Sequence, residues 1–136
     1  MSRPFLLIPT HTTRHLACCL ASIAHQTRPP AGVVVTCDTD DPAIGAVLDE
    51  WWPKAVGGMP VSEWPRPGLL HTFRPHQGRA QLNQVRNNGL RALRDHAGIL
   101  PGDVVVVLDG DTMLAADALE RHAALAHEGA ELIIPY

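Results

Sequence analysis

The run Val104-Val105-Val106-Val107-Leu108 constrains this chain more than any other feature, because it is uninterrupted, almost wholly β-branched, and ends directly on Asp109-Gly110-Asp111. A strand with no polar alternation has to be covered on both faces, which happens in parallel sheets flanked by helices. A central place in such a sheet is therefore predicted for it. The preceding residues supply the rest of the architecture. Phe5 to Ile8 and Val33 to Val35 are short apolar runs that read as further buried strands, and Leu69 to Phe73 reads as a weaker one.

Helical periods lie between these runs. Leu16, Leu20, Ile23 and Ala24 recur at the 3.6-residue spacing, with Thr10, Thr12 or Thr13 available as a cap and Pro29-Pro30 as a stop. Asp41-Pro42 is a cap followed by proline at the first helical position, opening a helix with Ile44, Val47, Leu48 and Trp51 on one face. Arg79 to His96 reads as a long helix with Leu82, Val85, Gly89, Ala92 and Leu93 on one side, and Pro101-Gly102 turns the chain after it. Beyond the aspartates a helix carries Leu114, Ala118, Leu119, His122, Leu125 and Ala126 as far as Gly129, and Glu131 to Ile134 starts one more strand. The order βαβαβαβαβ predicts an α/β fold: a mostly parallel, twisted sheet with flanking helices and right-handed crossovers, collecting ligands at the carboxyl ends of its strands. The stretch from Pro53 to Pro67 holds four prolines and Gly57-Gly58 and is expected to be irregular.

Composition narrows the function classes. At 136 residues the chain is expected to form one domain, 1–136, with 46% hydrophobic and 18% charged residues in the globular range. Eleven basic against fourteen acidic residues give 11 − 14 = −3, far from the basic stripe that nucleic-acid binding requires. Nucleic acid is not an expected partner. Cys18, Cys19 and Cys37 have neither metal-ligand spacing nor an even count, which fits a reducing compartment. No segment approaches the ~20 apolar residues of a membrane span. A cytoplasmic protein is expected, free or peripheral to the inner face of a membrane.

The chemistry concentrates at Asp109 and Asp111. Two carboxylates separated by one glycine at the end of a buried strand repel one another, and a divalent cation removes that penalty. Hard oxygen ligands of this kind suit Mg²⁺ or Mn²⁺ that takes its remaining ligands from water and phosphate. Gly110 lets a ligand approach the backbone. The same triplet would also serve as a plain turn that caps the next helix. His11 and His15 have i, i+4 spacing, but no carboxylate completes a zinc site beside them. Trp51, Trp52 and Trp64 flank the proline-rich stretch and read as packing residues.

Four segments in order give the triplet a context. Ile8-Pro9-Thr10, then Ser22-Ile23-Ala24-His25-Gln26-Thr27-Arg28-Pro29 before Val33-Val34-Val35, resembles the opening of family 2 glycosyltransferases, whose first helix ends in a Ser-x-x-x-Gln-Thr signature. Arg86-Asn87-Asn88-Gly89-Leu90 is similar to that family's Arg-Asn-x-Gly-Leu helix, and Asp109-Gly110-Asp111 falls where the family places its Asp-x-Asp, followed by a helix like Ala115 to His127. The resemblance implies the nucleotide-binding half of a GT-A fold, Rossmann-like, with a UDP- or GDP-sugar donor and Mn²⁺ or Mg²⁺. It implies transfer to an acceptor that is a saccharide, a lipid or a protein.

Carried over by position, Asp109 would face the donor ribose or the metal, and Asp111 would ligate the metal that bridges the diphosphate. Pro9 and Thr10 would lie near the nucleobase, and Asp38 resembles the base-reading acid. The family shows Asp-Asp-Gly-Ser where this chain has Cys37-Asp38-Thr39-Asp40, so Asp38, Asp40 and Asp41 stay open for that role, and Asp41 competes as a cap. Arg86 would counter the carboxylates or the diphosphate, or sit as a solvated helix arginine. Arg79, beside Gly78, would reach phosphate or remain on the surface. No residue presents itself as a catalytic base, and the family's acceptor half, which supplies one, is expected to be missing from this chain. Two rivals remain: a non-catalytic nucleotide-binding module of the same fold, and a haloacid-dehalogenase-like phosphatase in which Asp109 would be the nucleophile.

Overall fold

The computed structural model describes residues 2–55 and 69–129. Eight elements alternate along them: β1 (Pro4–Thr10), α1 (Leu16–Ala24), β2 (Gly32–Cys37), α2 (Pro42–Ala55), β3 (Leu69–Phe73), α3 (Leu82–His96), β4 (Val104–Val107) and α4 (Ala118–His127). The four strands form one sheet in the order β3-β2-β1-β4, and every pairing is parallel. This is the α/β arrangement of the Rossmann-like class. The whole strand expected at Glu131 to Ile134 and most of the Pro53 to Pro67 stretch lie outside the described residues, although α2 continues through Pro53 to Ala55.

Strand periodicity sorts the core into two layers. Leu6, Ile8, Val33, Val35, Val106 and Leu108 face α1, α2 and α4 through Leu16, Leu20, Ile23, Ile44, Leu48 and Leu119. Phe5, Leu7 and Val34 face the other way, onto Ala92 and Leu93 of α3. Successive Cβ atoms of a strand point to opposite faces, so an unbroken apolar run is what such a strand needs. β1 and β2, each covered on both faces and paired on both edges, are the central strands. The Val104 run is therefore not at the centre, because among the described strands β4 lies at an edge and Val107 is 51% exposed. An unbroken apolar run thus carries no information about strand order, and in β4 only Val106 of the four valines is buried.

Helix starts also differ from expectation. α1 begins at Leu16 with His15 as N-cap and no side-chain cap bond, so none of Thr10, Thr12 and Thr13 caps it by side chain; only the Thr13 carbonyl reaches Leu16 N–H, at 3.2 Å. α3 begins at Leu82, after Arg79, and Leu82 is exposed rather than packed. α4 begins at Ala118 instead of Ala115, and neither aspartate of the triplet caps it; its N-cap is Asp117. In α2 the cap lies where expected, since Asp41 Oδ1 accepts the Ala43 N–H at 2.9 Å.

Gly89 explains how closely α3 lies on the sheet. A Cβ there would meet Leu7 Cδ1 at 2.6 Å and Thr36 Cγ2 at 3.0 Å. Beside it Thr36 Oγ1 donates to the Val85 carbonyl at 2.7 Å and accepts from Thr72 Oγ1 at 2.8 Å, so a buried polar chain ties β3, β2 and α3 together. Among the described residues no helix is long and apolar enough to cross a membrane.

Candidate functional site

β1, β2 and β3 step outward to one side, and the chain then returns to place β4 on the other side of β1. That reversal parts the connections at the carboxyl ends of β1 and β4, the position at which open α/β sheets bind ligands. A cleft of about 540 Å³ opens there. Its floor is Pro9 and Thr10 from β1, Asp38 after β2, and Asp109, Gly110 and Asp111 after β4, while Leu82 and Val85 of α3 form an apolar wall.

The Asp109-Gly110-Asp111 turn is fastened to β1. Gly110 N–H donates to the Pro9 carbonyl at 3.1 Å, and Thr112 N–H donates to the Asp109 carbonyl at 2.9 Å. A Cβ on Gly110 would stand 2.7 Å from Thr10 Oγ1 and 2.8 Å from Thr10 Cβ. The glycine therefore admits Thr10 of the same chain, where the sequence suggested it admitted a ligand. Both aspartates are exposed, and among the described residues neither carboxylate is paired with a cation or holds a hydrogen bond. Behind them, burial foremost and then the Asp111 charge push the Cys19 thiol up to about 12. The thiolate is suppressed, so Cys19 is a packing residue there.

Asp38 is of a different kind. Its side chain is 8% exposed; Oδ2 accepts the Gln81 N–H at 3.1 Å and lies 3.4 Å from His76 Nδ1. Oδ1 is buried without a hydrogen-bond partner, and Arg74 Nε stands 3.6 Å away. A buried carboxylate oxygen without a hydrogen bond is costly, and the Arg74 guanidinium beside it offsets that cost. This separates the three acids left open by the sequence: Asp38 lines the cleft, whereas Asp40 and Asp41 are exposed and Asp41 is engaged as the α2 cap.

The arginines fall outside the cleft lining. Arg86 is partly buried on α3, and its Nε has no hydrogen-bond partner among the described residues. Arg79 borders a separate, shallower pocket of about 290 Å³ at the start of α3. Sequence reasoning missed His76, which lines the cleft, and Arg74 behind it. Both arrive on the β3–α3 connection, and nothing in their local spacing announces that this connection folds back over the end of β2.

No protein-family model matches the chain. No curated protein matches it. The cleft itself therefore carries the functional argument. Among the described residues no group of three or more His, Cys, Asp and Glu side chains is arranged to hold a metal ion by itself.

Proposed function

We propose that this chain is the donor-binding part of a glycosyltransferase resembling family 2, taking a nucleoside-diphosphate sugar whose diphosphate lies over Asp109 and Asp111 and whose base reaches Asp38. The observation that carries this reading is one cleft at the carboxyl ends of β1 and β4 that holds two unpaired, exposed carboxylates, Asp109 and Asp111, together with the buried carboxylate of Asp38. The donor set fits a divalent cation that binds through one or two carboxylates and draws its other ligands from phosphate and water, as Mg²⁺ and Mn²⁺ do. Asp111 and Asp109 would hold that cation. When bound, it supplies Lewis acidity toward the departing nucleoside diphosphate.

The remaining roles belong to the chain. Pro9 and Thr10 form the floor along which the nucleoside lies, and Leu82 and Val85 offer an apolar wall for a base or ribose. Asp38, which lines the cleft beside His76, would orient the base.

Calorimetric titration of UDP and GDP with and without Mn²⁺ tests this, on the wild type and on Asp111→Ala. The expected result is Mn²⁺-dependent UDP binding that weakens by about tenfold or more in the variant, roughly 1.4 kcal/mol. Equal binding by both proteins removes the role given to Asp111. Tight Mn²⁺-dependent UDP binding with no release of sugar from a UDP-sugar, even with saccharide acceptors present, assigns the chain to a binding module instead. Phosphorylation of Asp109 by a phosphomonoester would point to the phosphatase.

A further inference from the structure

Ser22, Gln26 and Thr27 are absent from the cleft lining, yet they hold the chain that leaves it. Residues 112–115 have no helix or strand of their own, so their backbone groups need partners from elsewhere. α1 and the turn after it supply them. Ser22 Oγ accepts the Leu114 N–H at 3.1 Å while donating to the Cys19 carbonyl at 2.6 Å. Thr27 N–H donates to the Ala116 carbonyl at 2.7 Å, and Thr27 Oγ1 donates to Glu120 Oε2 at 2.9 Å.

Gln26 is the centre of the bracket. Its Nε2 donates to the Ala115 carbonyl at 2.7 Å and to the Ser22 carbonyl at 3.1 Å, and its Oε1 accepts the Leu119 N–H at 3.0 Å. The Leu119 amide is one of the orphan donors of α4, whose own N-cap Asp117 makes no side-chain cap bond. A glutamine amide can meet two carbonyls and one N–H in this way only with its nitrogen and oxygen as placed, so the orientation is fixed by the network. The side chain is 8% exposed, and both its donors and its acceptor are used.

We infer that Ser22, Gln26 and Thr27 form a positioning bracket for the Asp109-Gly110-Asp111 turn, with Gln26 as its key residue. The turn is tied to β1 on one side, through Gly110 N–H and Pro9, and to α1 on the other, through Leu114, Ala115 and Ala116. With both ends fastened, the two carboxylates are presented to the cleft without the entropy cost of ordering a free loop. The inference rests on the proposed cation site for its functional consequence, whereas the mechanical part stands by itself.

Gln26→Glu keeps the size and the acceptor for Leu119 N–H but removes both N–H donors. Two measurements on this variant decide the matter. Amide hydrogen exchange should quicken about tenfold or more at Leu114 and across 111–119, while β1 and β2 keep their protection; the affinity for Mn²⁺ in the presence of UDP should fall about tenfold, with full nucleotide occupancy restored by raising Mn²⁺. Unchanged exchange at Leu114, or protection lost evenly over the whole chain, overturns the bracket. Local exchange that quickens without any change in Mn²⁺ affinity overturns its positioning role. A wild-type protein that takes up no Mn²⁺ with UDP overturns the cation site and with it the positioning role, and the exchange pattern then still decides whether the bracket holds the turn.

Discussion

Replacing Gly110 by alanine is the most direct test of how the site is built. The added methyl would stand 2.7 Å from Thr10 Oγ1, where ordinary contact begins at 3.4 Å, so the neighbours must part by 3.4 − 2.7 = 0.7 Å. Thr10 cannot easily give way, since it is buried, its hydroxyl donates to the Thr12 carbonyl at 2.9 Å, and its carbonyl accepts the Asp38 N–H at 3.1 Å. Overpacking of this kind costs about 1–3 kcal/mol. Gly110 does not have a positive φ, so alanine also gains about 0.4–1 kcal/mol by restricting the unfolded chain. The net expectation is a loss of about 1–2 kcal/mol, read by thermal denaturation as a fall in Tm of roughly 3–10 °C. Adding Thr10→Ala, which removes Oγ1 but keeps Cβ, should recover part of that loss. Gly45→Ala supplies the opposite sign: it lies in α2 with nothing within 4 Å of its Cβ position, so it should stabilise by about 0.5–1 kcal/mol. A Gly110→Ala midpoint at or above wild type, with Gly45→Ala raising it as expected, would refute the seating of the triplet against β1.

Other expectations concern the thiols, the acid limb of stability and the base pocket. Burial pushes Cys37 up to about 12, and burial with the charges of Asp111 and Cys18 does the same for Cys19, whereas Cys18 is exposed. Iodoacetamide at pH 8 should therefore label the native protein at Cys18 alone and the unfolded protein at all three positions, as counted by mass spectrometry. Burial raises the Asp103 carboxyl, but hydrogen bonds from the Arg3 side chain and from the Leu100 and Arg3 backbone N–H groups, with the Arg3 charge, bring it below its ordinary value. A carboxyl depressed in the folded state stabilises above its unfolded pKa and loses that contribution as pH falls through the folded one. Asp103→Asn should thus lower Tm at pH 7 and lose that effect as pH falls below the ordinary carboxylate range and through the lowered folded value. Asp38→Asn should weaken UDP binding about tenfold while leaving Mn²⁺ binding alone intact, because the neutral amide loses the charge that faces Arg74 and His76 and replaces one acceptor oxygen by a donor, so the wall of the base pocket loses its order; unchanged UDP affinity would move the base elsewhere in the cleft.

The amino-acid sequence determined the order of the eight described strands and helices, the Asp41 cap, the apolar face of α2 and that of α3 from Val85 onward, and the presence of two carboxylates after an apolar strand. These are properties of period and of neighbours a few residues apart, which local backbone geometry translates directly. Tertiary structure decided what depends on distant pairing. It set β4 beside β1 at the margin of the described sheet, singled out Asp38 from Asp40 and Asp41, left Arg86 outside the cleft lining, and brought His76 and Arg74 to the end of β2. It also gave the Ser22-x-x-x-Gln26-Thr27 segment a function that spacing cannot express, because its partners at 114–120 lie far along the chain and meet it only when β4 lies beside β1 and α4 packs back over the sheet. Gly89 and Gly110 show the same division: the sequence reveals that they are glycines, and only the approach of Leu7, Thr36 and Thr10 shows why nothing larger fits.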